Sequence, residues 1–296
     1  MHNGDQAEGL RRLVTPTSRR LIVVSGLPGS GKTSAAIHLA MNLAVSGLRV
    51  RLLDASTGTT GAMALLGLRL QRGFTDVLRG RCVLADALLE GPHGVWVLPC
   101  AGMGITYAGL SAEARVRARR HVHELCLDTD VLVVDGDNLA ALAWTDSSPL
   151  RKEFVFVLTP GFDAITEAYG LMKQHALEHR ERRFLVLVNQ ARDEIKARAV
   201  YENLASAARR FLDTGLAYLG SVRADSLFAQ AGKAGLHADA YALEAVADLR
   251  RIARRLMLPR PPYLSLSPPA RVHTRDSIFP IHSDRPGHVR RAGAGA

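Results

Sequence analysis

The chain holds few of the residues that mark a secreted, disulfide-bonded or membrane-spanning protein. Its 296 residues include only three cysteines, Cys82, Cys100 and Cys126, and no pair of them has the C-x-x-C spacing of a zinc or redox site. We therefore expect reduced thiols and no disulfide framework. The sequence contains no run of about 18 apolar residues and no N-terminal apolar stretch of signal-peptide length. These absences predict a cytoplasmic protein.

Acidic residues are scarce relative to basic ones. Lys and Arg number 38 against 28 Asp and Glu, so the formal net charge is +10 at pH 7. An excess of this size favours anionic partners such as a lipid surface, a nucleic acid or an acidic protein face. Arginines spread over a solvated surface would give the same excess, so the charge alone does not choose a partner.

What the chain does hold is a complete phosphate-binding signature. Residues 26–33 read GLPGSGKT and match G-x-x-x-x-G-K-[ST] at every position. An apolar stretch at 21–25 precedes them and a helical pattern at 35–44 follows, which predicts a strand, a glycine-rich loop and a helix. In such a loop the backbone N–H groups surround phosphates, the lysine reaches the terminal phosphates and the threonine hydroxyl binds Mg²⁺. The residues predicted to hold ATP and Mg²⁺ are Gly26, Gly29, Ser30, Gly31, Lys32, Thr33 and Ser34.

Apolar strands alternate with helical patterns through the rest of 19–258. This alternation predicts a doubly wound α/β fold, a mostly parallel sheet with helices on both faces. Six further strands are predicted at 49–53, 94–98, 131–134, 154–158, 184–188 and 216–222. Ligands of such sheets bind at the carboxyl ends of the strands. Asp54 and Asp135 each follow a strand, so we expect both to bind Mg²⁺ near the phosphate loop, with Asp135 as the catalytic acid.

Several motifs together resemble one family of P-loop proteins. The phosphate loop, the following RVRLLDAS and then MALLGL resemble the MinD/ParA class of P-loop ATPases. Three later segments, RGRCVLADALLEGPHGVWVLPCAG, LTPGFDAITEAYGLMK and LGSVRADSLFAQA, are similar to segments of the flagellar-number regulators FlhG and FleN. Residues 5–11 read DQAEGLR and are similar to the D-Q-A-x-x-L-R element of FlhG proteins. The resemblance covers residues 4–258.

The resemblance implies an ATP-binding regulator of the number or placement of flagella, which is cytoplasmic and attaches reversibly to the inner membrane. It also implies that an N-terminal arm, residues 1–18, contacts and stimulates a partner GTPase of the FlhF type through Asp5, Gln6, Leu10 and Arg11. A flagellar transcription regulator or a basal-body protein is a further type of partner that it implies.

The chain departs from the family pattern at functional positions. MinD proteins carry a lysine where this chain has Leu27, and that lysine crosses to the nucleotide of a second subunit, so the homodimer that the family implies lacks a signature contact. Ser56 replaces a second acid linked to hydrolysis, which predicts slow turnover, and Asp137 is a candidate substitute for that acid. Arg223 stands where a proline is usual. Asn189 stands where relatives contact adenine, although a strand-end asparagine that completes a turn fits the pattern equally well.

The last predicted helix, at 241–258, separates apolar from basic residues. Its apolar face carries Leu249, Ile252 and Leu256, and its basic face carries Arg250, Arg251, Arg254 and Arg255. A basic amphipathic helix of this kind binds anionic membranes, and the resemblance places a membrane-targeting helix near this end. Packing against the core with the arginines in solvent is an equally good interpretation. Residues 259–296 are rich in proline and are predicted to be a disordered basic tail.

Two other functions share parts of this pattern. A ParA-like positioning ATPase that associates with DNA would suit the net charge and the arginine cluster. The DQAEGLR element argues against nucleic acid as the partner. A small-molecule kinase would suit the GLPGSGKT loop, but the sequence shows neither a lid nor an acceptor pocket.

Overall fold

The computed structural model describes residues 19–56, 61–136, 140–179, 183–212, 215–234 and 243–258. The arm 1–18, the tail 259–296 and Asp137 lie outside these described residues. Within the described ranges, no helix has both the length and the apolar character needed to cross a membrane.

One sheet of eight strands forms the centre of the described chain. The strands are β1 (Arg20–Gly26), β2 (Val50–Asp54), β3 (Leu89–Glu90), β4 (Trp96–Pro99), β5 (Val131–Asp135), β6 (Arg151–Leu158), β7 (Arg183–Ala191) and β8 (Gly215–Arg223). Their order across the sheet is β3-β4-β2-β5-β1-β6-β7-β8. Every neighbouring pair is parallel except β3 with β4, which is antiparallel. This is the mostly parallel sheet that the sequence predicts.

Helices cover both faces of this sheet. They are α1 (Lys32–Val45), α2 (Ala62–Leu65), α3 (Phe74–Leu78), α4 (Leu84–Ala87), α5 (Met103–Ala108), α6 (Ala112–Leu127), α7 (Phe162–His179), α8 (Glu194–Phe211), α9 (Ser226–Ala234) and α10 (Glu244–Leu256). Short 3₁₀ turns lie at Pro92–Gly94 and Ala140–Ser147. Ser111 caps the start of α6, because its hydroxyl accepts a hydrogen bond from the Ala114 N–H at 3.3 Å.

The alternation of side chains along the strands divides the core into two clusters. Leu21 and Val23 of β1 belong to one cluster, which α6, α7 and α8 cover. Ile22 and Val24 belong to the other, which α1 and α10 cover. The doubly wound architecture is therefore confirmed.

Local irregularities are where the predicted elements differ from the structure. Residues 74–87 form two short helices, α3 and α4, because Gly80 adopts a left-handed φ of 68° and the chain turns there. Strand β3 was not predicted, since two residues are too few to show an alternating pattern. It pairs with β4 because the Gly91 N–H bonds to the Val95 carbonyl at 2.8 Å and closes the intervening turn.

The apolar face of α10 is buried. Leu249, Ile252 and Leu256 are at most 4% exposed and lie in the cluster that contains α1 and β8 residues. Arg250 reinforces this packing, because its Nε donates to Asn42 Oδ1 of α1 at 3.3 Å. The prediction that the three apolar residues enter a membrane is therefore corrected: in this fold they belong to the core. The basic face remains outside, with Arg250, Arg251 and Arg254 exposed and Arg255 half-buried.

Helix α1 contains a buried histidine. His38 is 1% exposed, and neither ring nitrogen has a hydrogen-bond partner among the described residues. Its ring lies 4.9 Å from the Phe228 ring of α9, measured between centroids. Because burial disfavours the charged imidazolium, the pKa of His38 is lowered to about 4.

We expect the buried His38 to make stability fall in mild acid. Because the pKa of His38 is lower in the folded than in the unfolded protein, protonation favours unfolding. The contribution of neutral His38 to the free energy of unfolding is complete above the unfolded pKa near 6.5 and is lost as the pH falls towards 4. The contribution amounts to about 3 kcal/mol. The difference in free energy of unfolding between His38→Leu and the parent should therefore shift in favour of the variant as the pH falls from about 7.5 to about 4.5. Urea unfolding should show a shift of most of this amount. Comparing the two proteins at each pH removes the effect of carboxyl groups that both share. Parallel pH profiles would contradict the prediction.

Candidate nucleotide-binding site

A tight loop joins the end of β1 to the start of α1 at the centre of the sheet. Gly29 and Gly31 have left-handed φ values of 77° and 81°, which favour glycine. A Cβ on Gly31 would lie 2.3 Å from Asn189 Nδ2, so no side chain fits there without displacing that amide. The loop is closed internally by the Ser30 N–H, which donates to the Leu27 carbonyl at 3.1 Å.

The loop turns donor groups towards one space. The first helical hydrogen bond runs from the Ala35 N–H to the Gly31 carbonyl at 2.9 Å, so the N–H groups of Lys32, Thr33 and Ser34 belong to the first turn of α1. Together with the helix dipole, they favour an anion at this point. Ser30 Oγ is also buried without a hydrogen-bond partner among the described residues. An orphaned hydroxyl in the loop that leads into this helix N-terminus fits the oxygens of a nucleotide phosphate.

Asn189 holds this loop in place. Its Nδ2 donates to the Ser30 carbonyl at 2.7 Å, and its Oδ1 accepts from the Gln190 N–H at 2.9 Å. Gln190, at a left-handed φ of 57°, adds a bond from Nε2 to the Gly29 carbonyl at 3.3 Å. Asn189 thus completes its own turn, which was one interpretation of the sequence, and clamps the phosphate loop, which neither interpretation included. It also lines the cleft beside the loop.

The two predicted acids end neighbouring strands. Asp54 of β2 and Asp135 of β5 lie directly opposite each other, and Val24 of β1 is next in the same row. Both carboxylates are buried, at 5% and 0% exposure. The parallel sheet therefore brings Asp135 beside the strand that feeds the phosphate loop and places Asp54 one strand further away.

Asp54 bonds to two residues that follow β2, Ser56 and Met63, which we call the first switch. Its Oδ1 accepts hydrogen bonds from the Ser56 hydroxyl and from the Ser56 N–H, the latter at 3.3 Å. Its Oδ2 accepts from the Met63 N–H at 2.8 Å. A Cβ on Gly61 would lie 2.9 Å from both oxygens of this carboxylate. Asp54 therefore organises the first switch at the carboxyl end of β2.

A cleft of about 380 Å³ extends from the loop towards β8 and α9. Six of the residues that the sequence predicts to hold the nucleotide line it: Gly29, Gly31, Lys32, Thr33, Ser34 and Asn189. The sequence analysis does not place the rest of the wall at the site; these residues are Leu65, Gln190, Arg223, Asp225, Phe228 and Ala229. The available signal was the segment LGSVRADSLFAQA, which follows a strand and therefore falls at the ligand edge of the sheet.

Comparison with known proteins agrees with this geometry. The CbiA family profile, described as the CobQ/CobB/MinD/ParA nucleotide binding domain, matches residues 21–238. Antiactivator FleN of Pseudomonas aeruginosa is 35% identical over 210 residues, which is 69% of this chain and 73% of that protein. The chain belongs to the MinD/ParA family and, within it, to the FleN type.

Two more relatives describe the breadth of this family. The flagellum site-determining protein YlxH of Helicobacter pylori is 28% identical over 70% of each chain. The septum site-determining protein MinD of Pyrococcus horikoshii, solved with Mg-ADP, has a TM-score of 0.58 and 19% identity, with 80% of this chain and 95% of that chain covered. This second likeness shows the same fold.

Proposed function

We propose that this FleN-type protein binds ATP with Mg²⁺ in the cleft and regulates the number or placement of flagella. The observation that carries the proposal is the phosphate loop, with its first-turn N–H donors and its orphaned Ser30 hydroxyl, in a chain related to FleN and YlxH. The Mg-ADP bound to a MinD protein of the same fold supports the choice of ligand.

Each polar residue of the site has a role that follows from its position. Lys32 begins α1 and supplies positive charge to the terminal phosphates. The Thr33 hydroxyl would bind Mg²⁺, a metal that favours oxygen ligands, and Asp135 at the end of β5 would supply a buried carboxylate. The metal supplies charge neutralisation for the phosphates. Asp54 orders the first switch through Ser56 and Met63 and joins the metal site from the adjacent strand.

We expect the chain alone to hydrolyse ATP slowly. The hydroxyl of Ser56 is 7% exposed and donates to Asp54, so the described part of the first switch offers a hydroxyl and no second acid. Bound ATP would then persist, and the protein would respond mainly to whether ATP is bound. Turnover of bound ATP, followed as released phosphate, should be slow in the absence of a partner.

The proposed partner is a GTPase of the FlhF type, contacted by the arm. The arm contains Asp5, Gln6, Leu10 and Arg11 in the D-Q-A-x-x-L-R order. A glutamine amide both donates and accepts hydrogen bonds, so Gln6 is able to orient a water in a GTP site. Leu10 lies four residues later and would share a helical face with Gln6, where it anchors the arm in an apolar groove.

A GTPase assay with a synthetic peptide of residues 1–18 tests this partnership. The peptide should raise GTP hydrolysis by the FlhF-type protein, Gln6→Ala should remove most of the increase, and Leu10→Ala should weaken binding. Glu8→Gln, at a variable position of the element, is the matched control and should keep the activity. Stimulation by the full chain but not by the peptide would show that the arm is not the activator.

The proposed membrane contact rests on the exposed arginines alone. Since the apolar face of α10 is buried, attraction to anionic lipid is electrostatic and should disappear as salt shortens the screening length from about 10 Å at 0.1 M to about 3 Å at 1 M. Sedimentation with anionic vesicles at both salt concentrations measures this, and Arg254→Glu should reduce binding at low salt. Binding that survives high salt would point to apolar insertion instead.

A further inference from the structure

The wall that β8 contributes to the cleft carries an arginine that α10 holds in place, and β6 and β7 lie between β8 and the strand that leads into the phosphate loop. Arg223 ends β8 and lines the cleft, with its side chain 40% exposed. Its Nε donates to Asp248 Oδ2 at 3.0 Å and its Nη2 donates to Asp248 Oδ1 at 3.3 Å. The Arg223 N–H also bonds to Asp248 Oδ2 at 3.0 Å, so one carboxylate of α10 fixes both the backbone and the side chain.

The charge of this arginine is already balanced. Besides Asp248, its Nη1 lies 2.7 Å from Glu244 Oε2. With two carboxylates beside it, the guanidinium is poorly placed to attract a triphosphate. The flat face of the guanidinium is the part that remains for a ligand in the cleft. The two parallel contacts with Asp248 fix the orientation of this plane.

The cleft residues that follow β8 favour a base over a phosphate. Asp225 carries a carboxylate, which repels phosphate, and its Oδ1 accepts from the N–H groups of Leu227 and Phe228 at 2.9 and 3.0 Å. This capping fixes the first turn of α9, from which Phe228 lines the cleft. The first-turn N–H groups around Lys32 follow β1, and β6 and β7 separate that strand from β8. A nucleotide with its phosphates there extends its base towards Arg223.

We propose that Arg223 forms the stacking wall of the base subsite and that Asp248 of α10 is the residue that positions it. This inference rests on the proposed binding of ATP and adds a specificity determinant to that site. Arginine planes stack well on nucleobases, because the delocalised cation lies over the ring. Asp248 is 2% exposed, so its carboxylate is fixed by the packing of α10 against the sheet. Affinity for the base therefore depends on how α10 packs against the sheet.

The test compares two ligands that differ only in the base. Binding of ATP and of ribose 5′-triphosphate, each with Mg²⁺, is measured by calorimetry on the full chain and on Arg223→Ala, Arg223→Lys and Asp248→Asn. Arg223→Ala should weaken ATP binding about tenfold, the lower part of the range for base stacking, and leave ribose 5′-triphosphate unchanged. Arg223→Lys should behave like Arg223→Ala, because it keeps the charge and loses the plane.

Asp248→Asn should weaken ATP binding less, and it should add no loss when Arg223 is already alanine, since the two act as one unit. Arg251→Ala is the matched control: Arg251 also contacts Asp248, but it is not among the residues that line the cleft. Equal losses for both ligands would place Arg223 on the phosphates and overturn the inference, as would unchanged ATP binding in Arg223→Ala. If the parent binds neither ligand, the proposed function is wrong as well.

Discussion

Replacing Lys32 with alanine should weaken ATP binding by about a hundredfold. Lys32 is the first residue of α1 and lines the cleft where the loop N–H groups converge, so its ammonium completes the positive surroundings of the terminal phosphates. Truncating one partner of a close, desolvated charge pair costs about 2–5 kcal/mol, and each 1.4 kcal/mol is about tenfold in affinity. Calorimetric titration with ATP and Mg²⁺ measures the change directly.

The matched control for this experiment is Lys196→Ala. Lys196 is exposed near the start of α8 and does not line the cleft, so its removal lowers the net charge equally and should leave the affinity unchanged. Gly31→Ala should lose binding too, but through the shape of the loop, because its Cβ would meet the Asn189 amide. Equal ATP affinity in the parent and Lys32→Ala would mean that the nucleotide does not occupy this loop.

The phosphate loop was predictable because its chemistry is local. Residues 26–33 carry all the information for a strand-to-helix turn with inward N–H groups, and the structure builds that turn between β1 and α1. Likewise, apolar strands alternating with helices are enough to predict a doubly wound sheet, and the rule for strand ends brings Asp54 and Asp135 side by side.

Long-range contacts are what the sequence could not supply. The clamp from Asn189 to the Ser30 carbonyl joins residues 159 positions apart, and no spacing or motif announces it. The sequence pattern of α10 shows which residues share a face. It does not show where that face lies, because a membrane and a protein core both favour apolar side chains. Only the packing against α1 and β8 decides between them. In the same way, Arg223 reads as a departure from a family motif until its contact with Asp248 is seen.

Another long-range contact is the buried ion pair between Arg20, at the start of β1, and Glu153 of β6. Their Nη1 and Oε1 atoms are 2.9 Å apart, and their side chains are 1% and 6% exposed. Arg20 also donates to the carbonyls of Leu256 and Leu258, the latter at 3.1 Å, so it fastens the end of α10 to the sheet. Burial raises the pKa of Glu153 although Arg20 and Arg151 pull the other way, so keeping this carboxylate charged is costly.

Glu153→Gln should therefore lower the free energy of unfolding by about 3–5 kcal/mol, because it leaves the charge of Arg20 buried without its counter-ion. Glu153→Leu combined with Arg20→Met should cost much less than the sum of the single changes, since apolar pairs replace buried ion pairs well. The free energy of unfolding that the double variant still loses measures the missing hydrogen bonds from Arg20 to the carbonyls at the end of α10. Urea unfolding of the four proteins measures the cycle.

An exposed pair gives the reference for this cycle. Arg81 and Asp76 are 3.3 Å apart with side chains 61% and 30% exposed, so Arg81→Gln should cost less than about 1 kcal/mol. A loss of that small size for Glu153→Gln would show that water reaches Arg20. Additive losses in the double variant would show that the two residues stabilise the fold separately. Either outcome would contradict the assignment of Arg20 and Glu153 as one buried unit that holds α10, and with it the base wall at Arg223, against the sheet.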